Sequence, residues 1–156
     1  MTTPLKIGDR APEFNLPEGA GGRVKLADLK GKKVVLYFYP KDDTPGCTTE
    51  AQGFSAAAAD FAAVGAVVVG VSKDSVARHE KFKTKYDLAL LLGSDADGSV
   101  CEAYGVWVEK SLYGRQYWGI ERATFLIDAD GALQRIWRKV KVNGHAQDVL
   151  AAARAP

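Results

Sequence analysis

Cys47 closes the run Tyr39-Pro40-Lys41-Asp42-Asp43-Thr44-Pro45-Gly46-Cys47, and this setting suits a reactive nucleophile. The run follows an apolar stretch of strand character, Val34-Val35-Leu36-Tyr37-Phe38, and opens an Ala-rich stretch of helical character. The cysteine therefore lies where a strand hands over to a helix. There the unpaired N–H groups and the positive end of the helix dipole favour a thiolate over a thiol. Thr44, three residues earlier, can bring its hydroxyl beside the sulfur, while Pro40 and Pro45 restrict the loop. Glu50, one turn further on, can pair with a cation beside the sulfur, or serve only as a first-turn helix acid.

Other chemistry-bearing residues have plainer readings. Cys101 sits in an apolar-periodic segment, where a cysteine is ordinarily a small buried hydrophobe. Arg122 precedes a strand, and taken alone it is a surface charge. His79 and His145 lie far apart and outside any Cys/His ligand spacing, so they read as solvated surface residues and no metal is expected. Asp-Ala-Asp-Gly occurs at Asp95 and again at Asp128. Neither copy has the full ligand series or the closing Glu of a calcium loop, so both read as turns. Gly19 to Gly22 lacks the Lys-Ser/Thr of a phosphate loop and reads as a hairpin turn.

The elements that must position these residues alternate in type. Short strands are expected around Phe14–Leu16 and Val24–Leu26, and a strand buried on both faces from Lys33 to Tyr39. A helix is expected from Cys47 to about Val64, with Phe54 and Phe61 on one face and Gly65 as its stop. A second apolar strand, Ala66 to Val71, makes a right-handed parallel crossover. Then come a helix from Val76 to Tyr86, a strand from Leu88 to Leu92 and a short helix from about Ser99 to Tyr104. Ala123–Ile127 and Leu133–Trp137 flank an Asp-Gly turn as an antiparallel hairpin, and a helix from about Gly144 to Ala153 ends the chain. This order specifies an α/β fold, a mixed central sheet with helices on both faces.

Bulk properties narrow the function. With 156 residues, 47% hydrophobic and 26% charged, the chain is expected to form one globular domain over 1–156 without disulfide staples. A formal net charge of +2 gives no reason to expect nucleic acid or an anionic membrane as partner. The N-terminal residues lack an apolar signal core and no run is long enough to span a bilayer, so the expected location is the cytoplasm. In a reducing compartment an isolated cysteine is catalytic, metal-binding or inert rather than cross-linked.

The pattern Pro-x-x-x-Thr/Ser-x-x-Cys, carried by Pro40, Thr44 and Cys47, resembles that of the peroxiredoxins. More narrowly the chain is similar to their bacterioferritin comigratory protein, or Q-type, branch. Phe38-Tyr39-Pro40, Gly105-Val106-Trp107 and Phe125-Leu126-Ile127-Asp128 extend the likeness along essentially the whole length. The resemblance implies a thioredoxin-like fold, as does the order of elements, and a thiol-dependent peroxidase whose Cys47 attacks hydrogen peroxide or an organic hydroperoxide. It makes Arg122 the active-site arginine, which favours the thiolate and donates to the peroxide oxygens. It implies no cofactor, a monomeric protein, and electrons from thioredoxin, glutaredoxin or a low-molecular-weight thiol.

The chain departs from the branch at the second cysteine of the cycle. Gln52 stands where many members have a resolving cysteine, and Phe82, Lys83 and Thr84 stand where others have it. That leaves Cys101 as resolving partner or no internal partner, and the one-cysteine route is the expected one. A thiol–disulfide oxidoreductase would need a second cysteine where Glu50 stands. A glutathione-peroxidase-like enzyme should carry a Gln, Trp and Asn set instead. A peroxide sensor or redox-controlled interaction module, oxidised once per molecule, is the alternative from another class.

Overall fold

The computed structural model describes residues 4–19 and 21–155. In chain order the strands are β1 (Asn15–Glu18), β2 (Gly22–Lys25), β3 (Lys33–Phe38), β4 (Ala66–Ser72), β5 (Leu91–Ser94), β6 (Trp107–Leu112), β7 (Arg115–Ile120), β8 (Ala123–Ile127) and β9 (Leu133–Trp137). The helices are α1 (Pro45–Ala56), α2 (Ala58–Ala63), α3 (Val76–Tyr86), α4 (Ser99–Ala103) and α5 (His145–Arg154). A five-stranded mixed sheet runs in the order β5-β4-β3-β8-β9, with β3 parallel to β4 and antiparallel to β8. The expected α/β architecture, a mixed sheet between helices, is the one found.

β3 is the spine. Its alternate side chains feed two separate cores, as the pleat requires. Val34, Leu36 and Phe38 join Val69, Val71, Phe125, Ile127, Tyr104 and Cys101 on one face. Val35, Tyr37 and Tyr39 join Phe54, Phe61, Leu126, Val149 and Cys47 on the other. The sheet therefore stands between the two cysteines.

Several boundaries differ from those the sequence predicts. The helix expected from Cys47 to Val64 begins at Pro45 and breaks at Ala57, whose N–H is shared between the carbonyls of Gly53 and Phe54. The break keeps Phe54 and Phe61 together, ring centroids 6.0 Å apart, against the same core. The strand expected at Leu88–Leu92 pairs with β4 only from Leu91 onward, and the Ala89 N–H goes to Ser55 Oγ instead. The hairpin of β6 and β7 is absent from the sequence expectation. It turns on Tyr113 and Gly114, both at positive φ, so a tyrosine fills the place where Asn or Asp usually signals such a turn. The hairpin of β8 and β9 falls on the predicted residues.

Gly70 shows how tightly the face bearing Cys47 is packed. A Cβ there would lie 2.7 Å from Tyr37 Cζ and 2.8 Å from Leu92 Cδ2. Gly70→Ala should therefore destabilise the protein by about 1–3 kcal/mol, the usual scale for overpacking. An unchanged urea midpoint would show that the Tyr37 ring has room to move.

Candidate active site

Thr44 is the N-cap of α1 in extended conformation, Pro45 fills N1 where no N–H is needed, and Cys47 is the third helical residue. The sulfur lies on the inner face of the first turn, and the residue is 2% exposed. Unpaired N–H groups at this end supply the fixed positive potential that an anionic sulfur requires. Pro40 is exposed and lies just beyond β3, where its missing N–H cannot extend the ladder. The Thr44 hydroxyl donates to the Lys41 carbonyl at 2.9 Å, which leaves its lone pairs free to accept.

Arg122 arrives from the neighbouring strand. Phe38 at the end of β3 is in register with Ala123 at the start of β8, so the residue before β8 falls beside the loop after β3. Its guanidinium donates through Nη2 to Cys47 Sγ at 3.4 Å and through Nη1 to Glu50 Oε1 at 2.7 Å. Gly46 leaves room for the approach, since a Cβ there would sit 3.1 Å from Nη2 and press on it. Thus one cation faces a sulfur and a carboxyl group on one helix turn. Burial alone would lower the Arg122 pKa, but Glu50 and Cys47 outweigh it and hold the guanidinium charged.

Glu50 responds in the opposite sense. Burial pushes its carboxyl up to about 7 against the attraction of Arg122. Glu50 Oε2 and the Tyr37 hydroxyl are both buried without a hydrogen-bond partner among the described residues. Lys110 of β6 adds a further positive charge, its pKa lowered by burial and by Arg122.

Cys101 lies in the other core, fully buried on α4. Asp95 caps that helix by accepting from the backbone N–H groups of Val100 and Cys101. Burial first, and Asp95 second, raise the Cys101 thiol pKa far above the ordinary range, so it has no thiolate character at neutral pH. The second Asp-Ala-Asp-Gly is also a turn, Asp128 Oδ1 accepting from the N–H groups of Asp130 and Ala132.

The histidines correct the sequence reading. Both are buried. His79 shares the inner face of α3 with Phe82, three residues on, and that helical spacing is the signal available in the sequence. Its Nδ1 lies 2.6 Å from Asp42 Oδ2. His145 bonds Thr124 Oγ1 at 2.8 Å between the rings of Phe54 and Trp137, and burial lowers its pKa to about 4. Asp42, Asp74 and His79 place possible ligand atoms within 4.8 Å of one another, but these atoms are engaged in hydrogen bonds with each other and with Tyr39, Ser72 and Arg78.

Residues 7–136 match the AhpC/TSA family. The chain belongs to that family. It is 54% identical over 146 residues to the putative peroxiredoxin bcp of Coxiella burnetii, covering 94% of this chain and 97% of that one. It is 51% identical to peroxiredoxin Bcp of Bacillus subtilis over 94% and 93% of the two chains. Among solved structures, Xanthomonas campestris bacterioferritin comigratory protein superposes with a TM-score of 0.86 at 46% identity, covering 90% of each chain. A variant of Xylella fastidiosa PrxQ superposes with a TM-score of 0.90 at 39% identity over 96% of each. Within the family the chain falls in the Bcp, or peroxiredoxin Q, branch, and its fold is thioredoxin-like.

Glu50 and His145 bend the stability profile in opposite directions. Glu50 has its folded pKa raised, so its contribution is complete below pH about 4.5 and is lost as pH rises through about 7. His145 has its folded pKa lowered, so its contribution is present above about 6.5 and is lost as pH falls toward about 4. In wild type the two largely offset each other between these limits. Glu50→Gln removes one of them, so acidification from pH 7 to 5 should cost the variant up to about 3 kcal/mol more than wild type. Urea unfolding at the two pH values measures this, and parallel profiles would refute the assignment.

Proposed function

We propose that Cys47 is the peroxidatic nucleophile of a one-cysteine thiol peroxidase, with Thr44 and Arg122 as its catalytic partners. The observation carrying this reading is the guanidinium of Arg122 donating to the sulfur at a helix N-terminus. The thiolate attacks one oxygen of the peroxide, the S–O bond forms as the O–O bond breaks, and the other oxygen leaves as water or alcohol after taking a proton. Thr44 Oγ accepts the hydrogen of the attacked peroxide, its own hydrogen being held by Lys41. Arg122 stabilises the charge as it passes from sulfur to the departing oxygen. Glu50 holds the arginine in place, and Pro40 shapes the start of the loop.

The reductant is an external thiol. It condenses with the sulfenic acid, releasing water and leaving a mixed disulfide that a second thiol opens. A protein dithiol such as thioredoxin or glutaredoxin, or a low-molecular-weight thiol, supplies these electrons. Cys101 is assigned a packing role, because the sheet separates it from Cys47 and its thiol is held protonated. Organic hydroperoxides are included as substrates, in keeping with the alkyl peroxide reduction activity of the similar Xanthomonas campestris protein. A working monomer is part of this reading. A reducing compartment, the cytoplasm, suits the two free cysteines. Among the described residues no helix is long and apolar enough to cross a membrane.

Cys47→Ser should abolish peroxide consumption with a thiol donor present, whereas Cys101→Ser should retain turnover within about a few-fold and show the same sulfenic acid on Cys47. A Cys47–Cys101 disulfide as the main product of one peroxide equivalent, seen by non-reducing peptide mapping, would overturn the one-cysteine route. A single oxidation per molecule with no thiol-supported turnover would favour a sensor. Thr44→Val and Arg122→Ala should each slow Cys47 oxidation by roughly 10²–10³ in stopped-flow, the scale of one preorganised donor or acceptor. Wild-type rates in either would remove that residue from the site.

A further inference from the structure

The direction in which the Thr44 hydroxyl offers its lone pairs to a peroxide is set by where its own hydrogen is held, and the holder is the Lys41 carbonyl at 2.9 Å. That carbonyl belongs to the same planar unit as the Asp42 N–H, so whatever fixes one end of the unit fixes the other. The Asp42 N–H donates to Asp74 Oδ2 at 2.9 Å. Asp74 is itself held by Ser72 Oγ at 2.7 Å, at the end of β4, and by Arg78 Nε at 3.2 Å.

The Asp42 side chain is held as firmly. Tyr39 donates to Oδ1 at 2.5 Å, and His79 Nδ1 faces Oδ2 at 2.6 Å. His79 Nε2 lies 3.1 Å from the Gly93 carbonyl on β5. A carbonyl only accepts, so Nε2 is the donor in that contact. The next residue, Asp43, sits at φ 59°, a costly conformation for a residue with a side chain, and is tied down by Lys85 at 2.8 Å and Tyr86 at 2.6 Å. The loop is thus gripped from β4, β5 and α3.

Resting on the peroxidase reading of Thr44, we propose that Asp74 and His79 are positioning residues for the peroxide step. They fix the Lys41–Asp42 peptide unit and so aim the Thr44 hydroxyl. Without the Asp74 acceptor the unit rotates, the Lys41 carbonyl swings away, and the Thr44 hydroxyl no longer aims its lone pairs at the peroxide. Arg122 and the helix end are untouched, so the sulfur keeps its own reactivity.

A double-mutant cycle separates this from a general loss of stability. Single-turnover oxidation of Cys47 by hydrogen peroxide is measured for Asp74→Ala in the wild-type and Thr44→Val backgrounds, under conditions where circular dichroism shows each protein folded. Asp74→Ala should slow oxidation by about tenfold or more in the wild-type background, as misplaced catalytic groups do. In the Thr44→Val background it should add less than about twofold, because the two residues act as one unit. Asp74→Asn keeps an acceptor oxygen and should recover most of the lost rate. Alkylation of Cys47 by iodoacetamide, which does not use Thr44, should be the same in Asp74→Ala as in wild type. If Asp74→Ala does not fold, His79→Gln takes its place in the same cycle. Equal losses in both backgrounds, or oxidation at the wild-type rate, would overturn the proposal. Loss of all effect from Thr44→Val alone would instead remove the reading of Thr44 on which it rests.

Discussion

One guanidinium serving both a sulfur and a carboxyl group shapes this structure. Arg122 must reach the Cys47 sulfur and the Glu50 carboxylate at once, 3.4 and 2.7 Å away, with the three groups half to fully shielded from water. In such a setting Coulomb terms are large and an uncompensated charge is costly. Glu50 meets that cost by ionising only near neutral pH, and the arginine by staying charged throughout. The carboxylate orients the guanidinium but also competes for its field. Protonating Glu50 therefore leaves more of the positive potential to the sulfur.

The fold supplies what this arrangement needs. The antiparallel register of β3 with β8 brings the two ends of the site together across neighbouring strands rather than through long loops. Anchoring on central strands, buried on both faces, gives the small positional tolerance that catalysis demands. Gly46 contributes by lacking a side chain where the arginine passes. The β6–β7 hairpin borders the site, bringing Lys110 within electrostatic reach of Arg122 and carrying exposed Tyr117 and Trp118.

Much of this is legible in the amino-acid sequence. The two long buried strands and the β8–β9 hairpin follow from continuous apolar runs and from Asp-Gly turn chemistry, which are local properties. Cys47 and Thr44 are legible because the strand-to-helix junction is itself a chemical environment. Arg122 is not, since nothing within a few residues distinguishes it from a surface arginine, and its place depends on strand pairing. Here the family pattern supplies what local sequence lacks. The break at Ala57 is hidden because alanines continue a helix equally well on either side of it. The Tyr113-Gly114 turn escapes notice because tyrosine seldom occupies a left-handed position. His79 reads as solvated because its partner Asp42 lies 37 residues away, and the local signal, its three-residue spacing from Phe82, does not by itself show that a polar ring can be satisfied in the core.

The sheet between Cys47 and Cys101 bears on kinetic order. Were the second sulfur within reach, loss of the sulfenic acid would be a first-order event at a rate set by the protein alone, leaving only the resulting disulfide to an external thiol. On the one-cysteine reading, repair is bimolecular, and the oxidised protein persists for a time inversely proportional to the concentration of thiol that reaches it. The fraction oxidised at steady state then follows the ratio of peroxide to reductant in the surroundings, so the population of enzyme molecules reports the thiol supply while consuming the oxidant.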